Sequence, residues 1–218
     1  MFIESLRTGV LPTFGLSDAQ RDRLRAAGTP RHYPRGFLVQ GRGDTQRGIG
    51  IVEAGTLRMG VIRENGSFPI TALLGPGQVF GEITLLARDG RTHDMIANSD
   101  VEISVVSRER MLALMDSDEG IVRALLAQNV MRLHMMLEVV EVLRTRSDAR
   151  KLARFILFLT MLSQSPQSLP CRQEDLAVSL GISLRTCARI LRDFADKRLI
   201  DTEYRAIRIL DRDRLLSV

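Results

Sequence analysis

From Glu119 to about Arg146 the chain has no proline, and its only glycine there, Gly120, lies at the start. Along this stretch Val122, Leu126, Asn129, Leu133, Met136, Val140 and Leu143 recur at alternating steps of four and three. That spacing is a heptad seam on one helix of about 40 Å, and a single polar member, Asn129, suits parallel pairing of two copies. Ile121, Leu125, Met135 and Val139 supply further apolar positions, so one face can meet the helix's own domain while the other meets a second chain. Before this helix the texture differs. Leu16 to Ala27 predicts a short helix with Ser17 as N-cap and Gly28 at its end. From Thr29 to Val106 glycine recurs among short alternating runs, with turn signals at Glu64-Asn65-Gly66 and Pro76-Gly77, the pattern of an all-β roll or barrel. Alternation predicts Val101, Ile103 and Val105 pointing inward, with Glu102 and Ser104 outward. Arg108 to Met115 reads as another short helix.

After the long helix, Ser147-Asp148 marks a break and a candidate hinge, with Asp148 able to cap a helix from Ala149 to Leu162 whose apolar face is Leu152, Phe155, Ile156 and Leu159. A polar linker, SQSPQSLP, follows. Arg172 to Leu180 and Leu184 to Lys197 are two helices joined at Gly181 and Ser183, a helix-turn-helix arrangement. Leu199 to Leu210 predicts a hairpin with Tyr204 and Arg205 near its tip. The domains expected are a β-roll with flanking helices over 1–118, a dimerisation helix over 119–146 and a DNA-binding domain over 147–218, in the α+β class.

Composition narrows the function. The 218 residues carry 31 basic and 26 acidic side chains, a net +5 that permits nucleic-acid binding without requiring it. No run of eighteen apolar residues occurs, and the N-terminus lacks a signal-peptide pattern, which predicts a soluble cytoplasmic protein with no membrane partner. Cys171 and Cys187 stand apart with no thiol or histidine at ligand spacing, and His32, His93 and His134 are scattered. That pattern does not suit an iron-sulfur cluster, a haem ligand set or the clustered histidines of a cupin-like metal enzyme, and the chain is read as a non-enzyme with no metal.

Distribution of charge says more than its sum. Between 184 and 198 there are five basic and two acidic residues. Arg185, Arg189 and Arg192 fall on one helical face, while Cys187, Ile190, Leu191 and Phe194 form the other. Near the helix start Arg185 is placed to read a base edge in a major groove, with Leu184 and Thr186 beside it; Arg189 can read a base or hold phosphate; Arg172 and Ser183 are candidate backbone clamps. Two copies would set two such helices about 34 Å apart on near-palindromic double-stranded DNA.

The stretches YPRGFLVQGRGD (Tyr33 to Asp44), GPGQVFGEITLL (Gly75 to Leu86), Arg91-Thr92, the long helix and LAVSLGISLRTCARILRDFADKRLI (Leu176 to Ile200) together resemble the cyclic-AMP receptor protein and fumarate-nitrate regulator family of bacterial transcription factors. The resemblance implies a homodimer with an N-terminal jelly-roll sensor of the cyclic-nucleotide-binding type, a long dimerisation helix and a C-terminal winged helix. It also implies a phosphate-binding cassette in which Gly81 offers a backbone contact, Glu82 accepts from a ribose hydroxyl, and Arg91 with Thr92 holds a cyclic phosphate. The cassette departs from the family pattern at His93, where a small residue is usual. At Met136 and Leu137, where nucleotide-binding members carry hydroxyls for the base, it departs again. Those departures disfavour a cyclic nucleotide as ligand and leave the effector unknown. Glu82 then has a second reading, as the partner of a nearby arginine such as Arg91. In the recognition helix the family's usual glutamate is replaced by Arg185, while Arg189 matches the family arginine, so neither known subclass consensus transfers. Activation or repression depends on where the site lies and on whether a surface loop meets RNA polymerase, a further candidate partner.

Overall fold

The computed structural model describes residues 7–8, 16–45, 48–86, 90–162 and 167–218, which fall into two compact units, one of 16–59 with 74–133 and one of 60–73 with 134–218. Most of the N-terminal segment and residues 163–166 of the polar linker lie outside the described residues.

Helix α1 (Asp18–Ala27) begins in a reciprocal capping box: Ser17 Oγ accepts from the Gln20 amide, and the Gln20 side chain accepts from the Ser17 amide. The roll follows as β1 (Thr29–Tyr33), β2 (Leu38–Gln40), β3 (Ile49–Ala54), β4 (Leu57–Gly60), β5 (Ile70–Leu74), β6 (Val79–Phe80), helix α2 (Glu82–Leu86), β7 (Asp94–Ala97) and β8 (Val101–Val106). Its sheets run in the orders β1-β8-β3-β6 and β2-β7-β4-β5. Strand β8 pairs antiparallel with β1 and β3, and β3 with β6, with Arg31 opposite Ile103 and Gly50 opposite Phe80. Helix α3 (Arg108–Ser117) is capped by Ser107, whose Oγ accepts from the Arg110 amide. It extends two residues past the predicted end.

Period-two reading fails in part on β8. Ser104 is buried and Val105 only half so, because α1 packs over the face that was expected to meet water. Ile49, Ile51 and Val106 meet Leu24 of α1 and Met111 of α3 in one apolar cluster, so both faces of this sheet are covered. Gly28 permits the close approach, since a Cβ there would lie 3.1 Å from that of Ser104.

Helix α4 (Glu119–Arg144) is continuous over 26 residues and ends two short of the predicted boundary. Its two faces are distinct. Ile121, Leu125, Met135 and Val142 are buried, with Gln128, Arg132 and Val139 between them half-buried, whereas Val122, Leu126, Val130, Leu133, Met136, Leu137, Val140 and Leu143 are exposed. Ile121 and Leu125 join the apolar cluster beneath α1 and α3.

The second unit centres on α5 (Asp148–Leu162). Ser147, not Asp148, caps it, its Oγ accepting from the Arg150 amide at 3.3 Å, and Asp148 is the first helical residue. The predicted apolar face is too narrow, because every residue from Phe155 to Leu162 is buried. Then come β9 (Ser168–Leu169), α6 (Gln173–Leu180), α7 (Leu184–Asp196), β10 (Ile200–Glu203), β11 (Ala206–Ile209) and α8 (Arg212–Leu216). The expected hairpin is a three-stranded sheet, β10-β11-β9, since Leu169 of the supposed linker pairs with Ile207. Among the described residues no helix is long and apolar enough to cross a membrane.

Candidate nucleic-acid interface and sensor pocket

The turn between α6 and α7 is fixed by local chemistry. Gly181 takes the left-handed conformation at φ 66°, which L side chains rarely adopt, and the Ile182 amide donates to Ala177 O at 3.0 Å to close the end of α6. Ser183 then caps α7, its Oγ accepting from the Thr186 amide at 3.0 Å. Cys187, Ile190, Leu191 and Phe194 are buried, each at most 3% exposed, and they lock the rotation of α7 about its axis. Arg185, Arg189 and Arg192 therefore lie together on the open face. Leu184 is 47% exposed at its start, an apolar side chain facing water beside those arginines. Burial raises the Cys187 thiol to about 11, so it is a neutral core residue.

Thr186 and the expected clamp Arg172 differ in what they leave free. Thr186 is half-buried and its hydroxyl is bonded to Ser183 Oγ at 2.8 Å, which leaves its methyl as the free contact. Arg172 is exposed at the N-cap position of α6 and makes no side-chain cap bond, so its guanidinium faces outward.

The cassette is arranged differently from expectation. Gly81, at φ 92°, packs its bare Cα on the Arg91 guanidinium, where an added Cβ would sit 2.1 Å from Nη1. Arg91 is only 8% exposed; Nη1 donates to Thr84 Oγ1 at 2.6 Å and Nη2 to the Gly48 carbonyl at 2.5 Å. Burial pushes this guanidinium down from its ordinary value, while Glu82 and Asp44 pull it back up. The expected Glu82–Arg91 pair is not made. Glu82, at 6% exposure, is instead paired with Arg132 of α4, which also donates to the Val79 carbonyl. The reason is geometric: Arg91 lies under the glycine corner, and Arg132 comes from the buried face of α4. No local pattern in the sequence marks Arg132, although it occupies the same stripe as Ile121, Leu125, Gln128 and Met135, where a charge needs a partner.

Thr92 is exposed and hydrogen-bonded to His93 Nδ1 at 2.9 Å. Burial, then Arg42, lowers the His93 pKa, with Asp94 opposing. Met136 and Leu137 lie exposed on α4 at 49% and 60%. Of the predicted effector residues only Arg91 lines the cavity of about 1080 Å³ in the roll, beside Arg31, Tyr33, Phe80, Ile103 and Arg108. Among the described residues no group of three or more metal-ligating side chains forms.

Replacing Gly81 by alanine is expected to lower unfolding free energy by about 2–4 kcal/mol, from backbone strain plus displacement of Arg91. Urea unfolding measures it, and a loss below about 1 kcal/mol would contradict this packing.

Residues 30–118 match the cyclic nucleotide-binding domain family, and residues 150–218 match the Crp-like helix-turn-helix domain. The chain is 27% identical over 189 residues to the cyclic AMP receptor protein of Thermus thermophilus, covering 85% of this chain and 86% of that one. A CRP-like cAMP-activated global transcriptional regulator of Mycobacterium tuberculosis is 23% identical over the same shares of the two chains. The structure of FixK2 from Bradyrhizobium japonicum shares the fold with a TM-score of 0.73, at 21% identity over 87% of this chain and 96% of that one. A roll matched to one family model, a helix-turn-helix matched to the other, and relatives aligned over more than four fifths of both chains place the chain in the CRP/FNR family of DNA-binding transcription regulators.

Proposed function

We propose that this chain acts as a homodimer on a near-palindromic DNA site, in the cytoplasm, under control of a small effector other than cyclic AMP. The observation that carries the reading is α7: a helix whose rotation is fixed by four buried side chains and whose open face holds Arg185, Arg189 and Arg192. Such a face suits a major groove, where paired arginine donors meet guanine. The exposed stripe of α4 supports pairing, because eight large apolar side chains in one row are costly to leave in water. RNA polymerase fits as a further partner of a regulator bound at a promoter.

The effector reading rests on which groups are already engaged. A cyclic nucleotide would need Glu82 and Arg91, yet the first is held by Arg132 and the second by Thr84 and Gly48. Freeing a buried carboxylate from its cation costs on the order of 3 kcal/mol, and Met136 and Leu137 offer the base no hydroxyl in return. The roll cavity is lined by Arg31, Arg91, Arg108 and Arg110 against Asp44 and Glu109, and Arg108 Nε is buried with no hydrogen-bond partner among the described residues. Ile103, Val105 and Phe80 complete the wall. That lining suits an anion with an apolar body.

One observation favours the alternative, a cyclic-nucleotide-gated regulator: Glu82 Oε2 is buried with no hydrogen-bond partner among the described residues, as an acceptor awaiting a ribose hydroxyl would be. Two relatives are also named for cyclic AMP. Calorimetric titration separates the readings. No heat and unchanged DNA affinity are expected at millimolar cyclic AMP or cyclic GMP, and saturable binding with Kd below roughly 10 µM would establish the nucleotide reading.

A further inference from the structure

We propose that Asn129 sets the alignment of the two α4 helices, admitting a level pair and refusing slipped pairs and larger bundles; this rests on the homodimer reading above. The exposed row of α4 divides into heptad positions a, at Leu126, Leu133 and Val140, and d, at Val122, Asn129, Met136 and Leu143. Apart from Asn129 these are all apolar, and an apolar side chain meets its neighbour in the row about as readily as its own copy. Leucine at a beside a branched residue at d, as at Leu126 and Val122, does not select two chains over three or four. Apolar packing along this row therefore favours association without fixing its order.

Charge does not fix it either. In parallel pairs the positions flanking the seam, g of one chain and e of the other, carry the opposite charges that set register. Here those pairings are Leu125 with Val130, Arg132 with Leu137 and Val139 with Arg144, and none joins an acid to a base. Both arginines are engaged within their own chain, Arg132 with Glu82, and Arg144 with Glu141 at 3.1 Å. Asn129 is what remains. It is half-buried, its Nδ2 donates to Leu125 O at 2.9 Å, and its Oδ1 accepts no bond among the described residues. An amide has a second N–H to give, so two level copies can each donate to the free Oδ1 of the other. After a slip of one heptad, Asn129 of one chain faces Met136 and that of the other faces Val122, and both amides are desolvated with nothing to bond. Such a slip, seven residues at about 1.5 Å each, slides one chain about 10 Å along the other. That is close to a third of the roughly 34 Å between half-sites, so only one of the two recognition helices keeps its place on the duplex.

The test uses the full-length protein. Chains carrying Leu143→Cys are co-expressed with chains carrying Met136→Cys and then oxidised; unlike chains join only after a slip of one heptad, and like chains join when level. Cys171 and Cys187 are buried and stay out of the reaction. With Asn129 in place, like pairs alone are expected. Asn129→Leu should give unlike pairs, or a mass above two chains in sedimentation equilibrium. It should also stay associated at about tenfold greater dilution and bind a duplex selected by wild type at least about tenfold more weakly. Asn129→Ala, which adds no apolar anchor, should give unlike pairs as well. An Asn129→Leu protein that stays level, two-chained and as tightly bound to DNA as wild type overturns the proposal. So does one that dissociates more readily than wild type, since the amide would then supply strength rather than alignment, and so do unlike pairs formed with Asn129 present. A wild type that sediments as a single chain would overturn the homodimer reading itself, and this one with it.

Discussion

Replacing Leu133 by aspartate is expected to turn a two-chain species into single chains and to weaken DNA binding by about a thousandfold or more. Leu133 is 59% exposed in the single chain and sits midway along the α4 stripe, so the substitution harms no packing within one protomer. In a parallel pair the residue would face its own copy. Burying a leucine is worth about 1.5–3 kcal/mol per chain, and two carboxylates facing each other in an apolar seam add a desolvation and repulsion cost of several kcal/mol. Once the chains part, the second recognition helix no longer benefits from the high local concentration the first one gives it, and affinity falls toward that of a single half-site. Sedimentation velocity and fluorescence anisotropy read the two effects, with circular dichroism expected to show an unchanged fold. A variant that still sediments as two chains would remove the stripe from the interface.

The same helix shows what could be read in advance. Its outward stripe follows from spacing alone, because the period of a heptad is visible without knowing the partner. Its inward stripe was half visible: Ile121, Leu125 and Met135 stood out as apolar, yet Gln128 and Arg132 between them did not signal burial. A buried arginine carries no period of its own, and the carboxylate it pairs with, Glu82, lies 50 residues away. For that reason the sequence suggests Arg91 as the partner of Glu82, where the structure has Arg132. Its sequence shows which groups are present, while which guanidinium reaches which carboxylate depends on how α4 meets the roll. Gly81 is a gentler example. A tight corner was expected there, and the close approach of Arg91 that demands it is a three-dimensional fact. Ser104 failed because alternation assumes one wet face, and α1 covers that face. The helix-turn-helix was legible almost residue by residue, since Gly181, Ser183 and the apolar face of α7 are all local signals. Strand β9 was not, because two residues pairing with a distant strand leave no pattern in a polar linker.

Exchanging Arg185 for alanine should separate stability from recognition. Arg185 lies in the first turn of α7, where no acid is present and the positive end of the helix dipole opposes a cation by about 0.3–1 kcal/mol. Alanine removes that repulsion and is the better helix former, so the variant should melt at or slightly above wild type. Binding should move the other way. A paired arginine–guanine contact is worth about 1–3 kcal/mol of discrimination, and a dimer makes it twice, giving a loss between roughly 30-fold and 10⁴-fold on the preferred duplex. The loss should concentrate at one symmetric pair of positions, with other bases there becoming equally acceptable, while Arg189→Ala relaxes a different position or, if it holds phosphate, lowers affinity evenly and flattens the salt dependence. The replacement of the family's usual glutamate by Arg185 gives the outcome its weight. A glutamate accepts from cytosine or adenine, an arginine donates to guanine, and the base preferred at that position should therefore be inverted in donor and acceptor sense. Selection from random duplexes with wild type and Arg185→Ala side by side decides it, and an identical motif from both would take Arg185 out of base reading and leave Arg189 and Arg192 to carry it.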